Sequence, residues 1–158
     1  MRRQIFAIAL IFAAVTTATA QTAATAQTAD AVGGVKADAI LHTWITQEKD
    51  GKMQMTKTGD TYAGKMVYGK ELLEADGKTY KLDVHNPDTS LRSRSLKDYD
   101  LITGLSFKDG KWSGGKCYDY KTGNSYDVYI ELRNGAMYMR VYKGMTMFGR
   151  TLKWDLVE

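Results

Sequence analysis

The chain has 158 residues, of which 44% are hydrophobic and 25% are charged, and its formal net charge is +4 at pH 7. Arg2 and Arg3 supply two of these charges and residues 1–20 contain no acid, so the rest carries 4 − 2 = +2, and its Lys and Arg are spread out. This pattern does not predict binding to nucleic acid. The single cysteine, Cys117, excludes an internal disulfide, so a hydrophobic core must hold the fold together.

The first twenty residues have the features of a secretory signal peptide. Arg2 and Arg3 precede an apolar run at 5–15 that is too short to span a bilayer, and residues 18–20 read Ala-Thr-Ala, a typical cleavage site. We therefore expect export to the periplasm or out of the cell. The mature chain would begin at Gln21 and have no stable membrane span. The alternative is an uncleaved membrane anchor.

The rest of the chain is predicted to be a disordered Ala/Thr-rich tail at 21–39 and a single domain at 40–158. Within the domain, short segments alternate between apolar and polar residues, and turn-forming pairs such as Asp109-Gly110 lie between most of them. The predicted strands are 40–46, 52–58, 61–68, 100–107, 111–119, 125–133, 136–142 and 147–156. Closing eight up-and-down strands removes exposed edges. We therefore predict an all-β fold, an antiparallel up-and-down eight-stranded β-barrel.

The most specific of these signals is the hairpin around Asn134-Gly135. A type I′ turn needs positive φ at both central residues, which Asn and Gly tolerate. Every apolar residue of both strands then falls on one face, so a single register satisfies the pair. The predicted apolar pairs are Leu132 with Met137, Ile130 with Met139, and Val128 with Val141. The predicted pairs on the other face are Tyr129 with Arg140 and Glu131 with Tyr138.

A second local prediction concerns the strand that contains Cys117. If Asp109-Gly110 forms the turn, Phe107 pairs with Trp112, and strict alternation would place Cys117 outside the barrel. A β-bulge at the Gly114-Gly115 pair would return the side chain to the inner face. We therefore predict that Cys117 is a small buried hydrophobic residue, rather than a nucleophile or a thiol that binds a partner.

A long connection, 69–99, interrupts the series of hairpins. One helical turn is predicted at 70–75, and a second short helix, capped by Asp88 or Thr89, is predicted to run through Leu96. Connections of this length are usually functional loops, lids or plugs.

The same connection contains a group of charged and amide side chains. Arg92 and Arg94, with Asp83 and Asn86, could form a polar mouth that holds a ligand carboxylate or phosphate, because arginine binds such groups with two parallel hydrogen bonds. The alternative is a loop pinned by Arg–Asp pairs and by the Asn side chain. The sequence leaves both open.

The methionine and histidine side chains raise the further alternative of a metal site. Met-x-Met occurs three times, and in a strand this spacing places both thioethers on one face, which suits either an adaptable apolar lining or a Cu(I) site. The pairs are Met53/Met55, Met137/Met139 and Met145/Met147. His42 and His85 have no metal-ligand spacing around them. We therefore predict no metal, no cofactor and no catalytic residues.

Several motifs together resemble the bacterial exported family called domain of unknown function 2147, from about residue 40 to the C-terminus. They are Asp83-x-x-Asn86-Pro87-Asp88, Leu91-Arg92-x-Arg94, Lys111-Trp112-Ser113-Gly114-Gly115-Lys116-x-Tyr118-Asp119, Gly123-x-x-Tyr126 and Phe148-Gly149-Arg150-Thr151-x-x-Trp154. His42 stands where the family usually has the glycine of Gly-x-Trp, and Tyr142 replaces a glycine common in the seventh strand. The resemblance implies a lipocalin-like, calycin-type barrel.

The resemblance also implies a structural pair. In calycins a tryptophan of the first strand packs under an arginine of the last strand, and the candidates here are Trp44 and Arg150. Alternation places Arg150 on the same face as Trp154 and other apolar residues, where a tryptophan ring would suit its guanidinium plane. We therefore expect Trp44, Arg150 and Trp154 to be structural, rather than Arg150 to be a ligand clamp.

Taken together, these features predict an exported lipocalin-like binding protein that holds a small, largely apolar or amphiphilic molecule. The predicted ligand-binding residues are Arg92, Arg94, Asn86, Asp83, Trp112, Met137 and Met139. The alternative is a filled barrel that acts by its outer surface in the envelope or on a protein partner. Three outward aromatics would support it, namely Tyr129, Tyr138 and Tyr142. An enzyme is not expected, because no nucleophile, base and oxyanion set converges.

Overall fold

Eight antiparallel strands form a closed barrel in the computed structural model, which describes residues 34–157. The strands follow chain order and β1 also pairs with β8. They are β1 (Thr43–Thr46), β2 (Gly51–Thr58), β3 (Thr61–Gly69), β4 (Asp100–Lys108), β5 (Lys111–Asp119), β6 (Asn124–Arg133), β7 (Ala136–Tyr142) and β8 (Gly149–Leu156). The predicted fold class is confirmed. The predicted signal at 1–20 lies outside the described residues, as does the tail up to residue 33.

The β6–β7 hairpin has the predicted register throughout. Asn134 and Gly135 have φ values of 51° and 76°, as a type I′ turn requires. All three apolar pairs and both outer pairs form as expected from the alternation. The hairpin therefore contributes one continuous apolar face to the barrel interior.

The bulge in β5 is also confirmed, and the neighbouring strand β4 contains a matching irregularity that the sequence did not reveal. Gly114 has a φ of 81°, the β5–β6 register shifts between Trp112 and Gly115, and Cys117 is buried opposite Ile102. Gly104 on β4 has a φ of 73° as well. Because both strands contain a left-handed glycine at the same level, the β4–β5 register is the same on either side of it.

A 3-10 helix, Ala37–Ile40, closes one end of the barrel. The indole N–H of Trp44 donates to the carbonyl of Ile40 at 2.9 Å, and that of Trp112 donates to the carbonyl of Ala37 at 3.0 Å. The hydroxyl of Tyr62 donates to Asp38 at 2.7 Å. Two predictions are corrected here: Ile40 is not part of β1, and Ala37 and Asp38 belong to the folded domain rather than to the tail.

Large side chains fill the closed half of the barrel next to this helix. Trp112 and Met137 are fully buried there. A Cβ on Gly64 would lie 2.6 Å from the sulfur of Met53 and 3.0 Å from that of Met55, so the glycine leaves room for this methionine pair. The closed half is therefore a packed core.

The long connection between β3 and β4 contains little helix. Its 3-10 turns are Lys70–Leu72 and Thr89–Leu91, and the carboxylate of Asp88 accepts from the backbone N–H of Ser90 at 2.9 Å. The predicted helix does not continue to Leu96, which is buried in the core instead. Among residues 34–157 we find no helix with the length and apolar character needed to cross a membrane.

Candidate ligand-binding site

The end of the barrel opposite the 3-10 plug contains a pocket of about 620 Å³. It lies between the last residues of β1, β3, β5 and β7 and the first residues of the strands that follow them. Its apolar wall is made of Met66, Leu72, Tyr99, Cys117, Met139, Val141, Leu152 and Trp154. The barrel is therefore filled in one half and hollow in the other.

Small residues occur in the wall of this pocket. Gly51 of β2 and Gly69 of β3 face each other across the sheet, and both line the pocket. A Cβ on Gly69 would lie 2.8 Å from the side chain of Leu72, so the glycine lets Leu72 pack closely at the rim. The end of the Met66 side chain lies 3.4 Å from the position of a Cβ on either glycine, so Met66 covers this part of the wall.

Trp154 presents a buried donor without an acceptor in the pocket wall. The ring is 3% exposed, and its Nε1 has no hydrogen-bond partner among the described residues. The other two tryptophans, Trp44 and Trp112, each donate to a carbonyl of the plug. A buried N–H without a partner costs roughly 1–3 kcal/mol, so Trp154 brings an unsatisfied donor into a residue that lines the pocket.

Cys117 contributes a neutral thiol to the same wall. Burial, with a smaller contribution from the negative charge of Asp119, raises the pKa of Cys117 to about 12. Burial also raises the pKa of Tyr99, whose ring makes edge contacts with Tyr118 and Tyr120. These groups stay uncharged at neutral pH, so the pocket interior is suited to apolar ligand groups. The predicted burial of Cys117 is confirmed.

Charged side chains surround the mouth of the pocket. Lys121 pairs with Glu71 across the rim. Arg150 and Lys143 also line it, and no carboxylate of residues 34–157 lies within ion-pair distance of either. Asp119 is the nearby acid on β5. Among residues 34–157 the mouth therefore has two cations outside ion pairs, Lys143 and Arg150, and two acids outside ion pairs, Asp50 and Asp119, so a head group that pairs with the cations must lie on their side of the mouth.

The expected stack of Trp44 and Arg150 does not form. Trp44 is paired with Leu156, six residues after Arg150 on β8, and Arg150 is paired with Val141 at the opposite end of the barrel. Arg150 is exposed at the pocket mouth because its face of β8 opens there onto the cavity. Trp44 and Trp154 are buried as expected, whereas Arg150 is a rim residue rather than part of the core.

The structure brings two of the predicted loop residues, Asn86 and Arg94, into contact with Asp83, which is fully buried. Asn86 Nδ2 donates to its Oδ2 at 2.7 Å, Arg94 Nη2 donates to the same oxygen at 2.8 Å, and the hydroxyl of Tyr118 donates to Oδ1 at 2.7 Å. Burial opposes ionisation, but these hydrogen bonds outweigh it, and the pKa of Asp83 is lowered. Arg92 Nε donates to the carbonyl of Asn86 at 2.9 Å.

These contacts support the alternative of a pinned loop. Arg92 Nε and Arg94 Nη2 are bonded within the connection, and neither arginine, nor Asp83 or Asn86, lines the pocket. Of the seven predicted ligand-binding residues, only Met139 lies in the pocket wall, because Trp112 and Met137 belong to the filled half. The ligand-binding roles of the seven residues stay predictions, and most of the pocket wall is made of other side chains.

The pocket residues that the sequence analysis did not assign to ligand binding come from two sources. Leu72 and Tyr99 stand at the two ends of the long connection, where no periodicity marks a side chain as inward. Leu152 and Trp154 do follow the alternation of β8, which was the available signal. That signal identified a face of the strand but not which end of the barrel is hollow.

The other residues that the sequence analysis considered, the methionine pairs and the outward tyrosines, do not come together in one site. Met53 and Met55 pack against Gly64, whereas Met145 and Met147 are exposed at the other end of the barrel. Within residues 34–157, no group of three or more His, Cys, Asp and Glu side chains could hold a metal ion. The three outward tyrosines are half-buried, with Lys111 over Tyr129, Arg133 over Tyr138, and Tyr142 beside Tyr129.

A closed eight-stranded barrel with a plugged end and an apolar pocket at the other end is a lipocalin-like barrel. The chain belongs to the DUF2147 family of uncharacterized proteins conserved in bacteria, whose pattern matches residues 42–155. A similar solved structure is described as "Protein HP1028 from the human pathogen Helicobacter pylori belongs to the lipocalin family". It has a TM-score of 0.64 and 20% identity, over 75% of this chain and 83% of that one. Comparison with curated proteins finds no match.

Proposed function

We propose that this protein is an exported carrier that holds one small, largely apolar molecule in the pocket at the open end of the barrel. The observation that carries this proposal is the contrast between the two halves, one packed and one with an apolar cavity of about 620 Å³. Pockets of roughly 300–1,000 Å³ with apolar walls and few polar groups are typical of small-molecule sites. The lipocalin-like fold of the family supports the same function.

The polar groups of the pocket narrow the class of ligand. The N–H of Trp154 would donate to a carbonyl, hydroxyl or ether oxygen of the ligand, while Cys117 and Met139 offer mainly apolar contact. The cations Arg150 and Lys143 would favour an anionic head group at the mouth. An amphiphile with an acidic head and a hydrocarbon tail, such as a long-chain fatty acid, meets these requirements.

Export is the second part of the proposal and has its own test. The basic start, the apolar run and the Ala-Thr-Ala sequence at 18–20 support cleavage before Gln21. N-terminal sequencing of the protein recovered from outside the cytoplasm should give Gln21 as its first residue. A chain that is recovered only in the membrane fraction with Met1 still present contradicts export of a cleaved protein.

Binding is tested by filling the pocket. Val141→Trp places a large ring in the cavity wall, and Val67→Trp makes the same change at a half-buried valine of β3 outside the pocket. Isothermal titration with a long-chain fatty acid should show saturable binding to the parent and to the Val67 variant, and none to the Val141 variant. Equal binding by both variants, or no binding by the parent, contradicts the proposal.

A further inference from the structure

The loop between β7 and β8 exposes three large apolar side chains to solvent. Met145, Met147 and Phe148 are 59%, 70% and 68% exposed, the highest values among the large apolar residues of the described chain. Single exposed apolar residues are ordinary, but three within four positions of one loop form a patch. Such a patch is typical of an interaction site.

The backbone of this loop is held in place by Arg140. Its Nε and Nη2 donate to the carbonyl of Thr146 at 3.0 and 2.8 Å, Nη2 also reaches the carbonyl of Met147 at 3.2 Å, and Nη1 donates to Thr151 at 3.0 Å. A Cβ on Gly149 would lie 2.9 Å from Nε of Arg140, so the glycine permits this close packing. The apolar side chains are therefore presented by a fixed backbone, which limits the entropic cost of binding.

The patch adjoins the mouth of the pocket. Phe148 is both exposed and part of the pocket lining, so the apolar surface of the loop continues into the cavity. Lys143 and Arg150, which have no ion-pair partner within the described part of the chain, flank the loop on either side in sequence and also line the mouth. Val84, in the long connection, adds a 55% exposed apolar side chain at this end, next to His85, which packs on the β5–β6 turn.

We propose that this loop docks on the surface of an anionic phospholipid bilayer, with the mouth of the pocket facing the lipid. Apolar side chains would enter the boundary between head groups and acyl chains, and Lys143 and Arg150 would contact lipid phosphates. The combination of apolar tips and flanking cations matches a lipid surface better than a protein groove, which would also need shape complementarity. An apolar ligand could then pass between bilayer and pocket without crossing water.

The test is flotation of the ligand-free protein with vesicles of phosphatidylcholine alone and of phosphatidylcholine mixed with phosphatidylglycerol. The double variant Met145→Ser, Met147→Ser removes apolar surface outside the pocket lining. Leu156→Ser is the matched control, because Leu156 is 43% exposed at the plugged end of the barrel. We expect partition of the double variant into mixed vesicles to fall by about tenfold or more, with Leu156→Ser unchanged.

Charge and ligand binding give two further readouts. Lys143→Gln should reduce partition into the mixed vesicles and leave the weaker partition into phosphatidylcholine unchanged. The double variant should titrate a fatty acid as the parent does, which separates failure of docking from failure of the carrier function. Equal flotation of the double variant and the parent overturns the proposal. So does a dimer of the parent that the double variant abolishes, which would assign the loop to a second copy of the chain.

Discussion

Tyr118 of β5 donates a 2.7 Å hydrogen bond to the carboxylate of Asp83, thirty-five residues earlier in the chain. This contact joins the barrel wall to the long connection. Asn86 and Arg94 complete the set of donors around the same buried carboxylate. Burial, followed by the hydrogen bond to Asp83, raises the pKa of Tyr118 to about 12, so the tyrosine stays a donor at neutral pH. The long connection is thereby anchored to the strand that also carries Cys117.

Replacing Asp83 should destabilise the protein. Asp83→Ala leaves the donors of Asn86, Arg94 and Tyr118 without their acceptor, and we expect the free energy of unfolding to fall by about 2–4 kcal/mol. The lower half of this range allows for the partial exposure of Arg94. Urea unfolding monitored by tryptophan fluorescence measures the loss. Glu74→Ala, at an exposed position of the same connection, is the control and should change the free energy little.

The same carboxylate predicts a dependence of stability on pH. Because hydrogen bonds lower the pKa of Asp83 in the folded state, its contribution is present above the unfolded-state pKa and is lost as the pH falls through the folded-state value. The difference in unfolding free energy between the parent and Asp83→Asn should be constant above about pH 5 and shrink at more acidic pH. A difference that does not change down to about pH 2 would contradict the ionised form of Asp83.

Local patterns predicted the fold well because each of its signals acts over a few residues. Asn134-Gly135 fixed one hairpin through backbone conformation, and the Gly114-Gly115 pair identified a bulge that turned Cys117 inward. The site was less predictable, since it depends on contacts between distant segments. The donors of Arg94 could have faced a ligand or Asp83, and only the folded connection shows that they face Asp83.

The dependence on distant segments also explains why the sequence analysis wrongly expected Arg150 to stack on Trp44. The alternation correctly placed Arg150 and Trp154 on one face of the strand. It could not show that this face is packed near Trp154 and open to the pocket mouth near Arg150. That difference is set by the plug at one end and by the loops at the other, which are not encoded in the strand itself.

Gly123 is predicted to be intolerant of any side chain. Its φ is 73°, and a Cβ there would lie 1.9 Å from the carbonyl oxygen of His85 in the long connection. Gly123→Ala should lower the free energy of unfolding by at least about 2 kcal/mol, because both strain and a backbone clash arise. Gly77→Ala is the matched control, since its φ is 68° and nothing lies within 4 Å of the added carbon. Equal losses in the two variants would show that the clash is relieved at no cost.

The thiol of Cys117 should react slowly in the native protein. With a pKa of about 12, compared with about 8.5 for a free cysteine, it forms roughly a thousandfold less thiolate at pH 8. Alkylation by iodoacetamide, followed by mass spectrometry, should be slow in buffer and fast in urea. A saturating fatty acid should slow the native reaction further, because Cys117 lines the pocket. Native alkylation at the rate seen in urea would contradict the burial of this thiol.

The unpartnered indole of Trp154 leads to the last prediction. Trp154→Phe removes a buried donor that has no acceptor among the described residues, so the loss of hydrogen bonding costs the folded state nothing. We expect a change of less than about 1 kcal/mol in unfolding free energy, since the smaller ring is offset by relief of the buried N–H. Trp44→Phe removes a donor that is bonded to Ile40 and should cost about 1–3 kcal/mol.

Ligand binding by Trp154→Phe tests whether the indole N–H donates a hydrogen bond to the ligand. Affinity for a ligand whose acceptor reaches Nε1 should fall by about 0.5–1.5 kcal/mol, the net value of one hydrogen bond, while affinity for a hydrocarbon of equal length should not change. Isothermal titration of the parent and of Trp154→Phe with both ligands measures the difference. If the two ligands lose affinity equally, Trp154 contributes only apolar surface to the pocket. If the variant loses as much stability as Trp44→Phe, its N–H has a partner in the folded protein and is not available to a ligand.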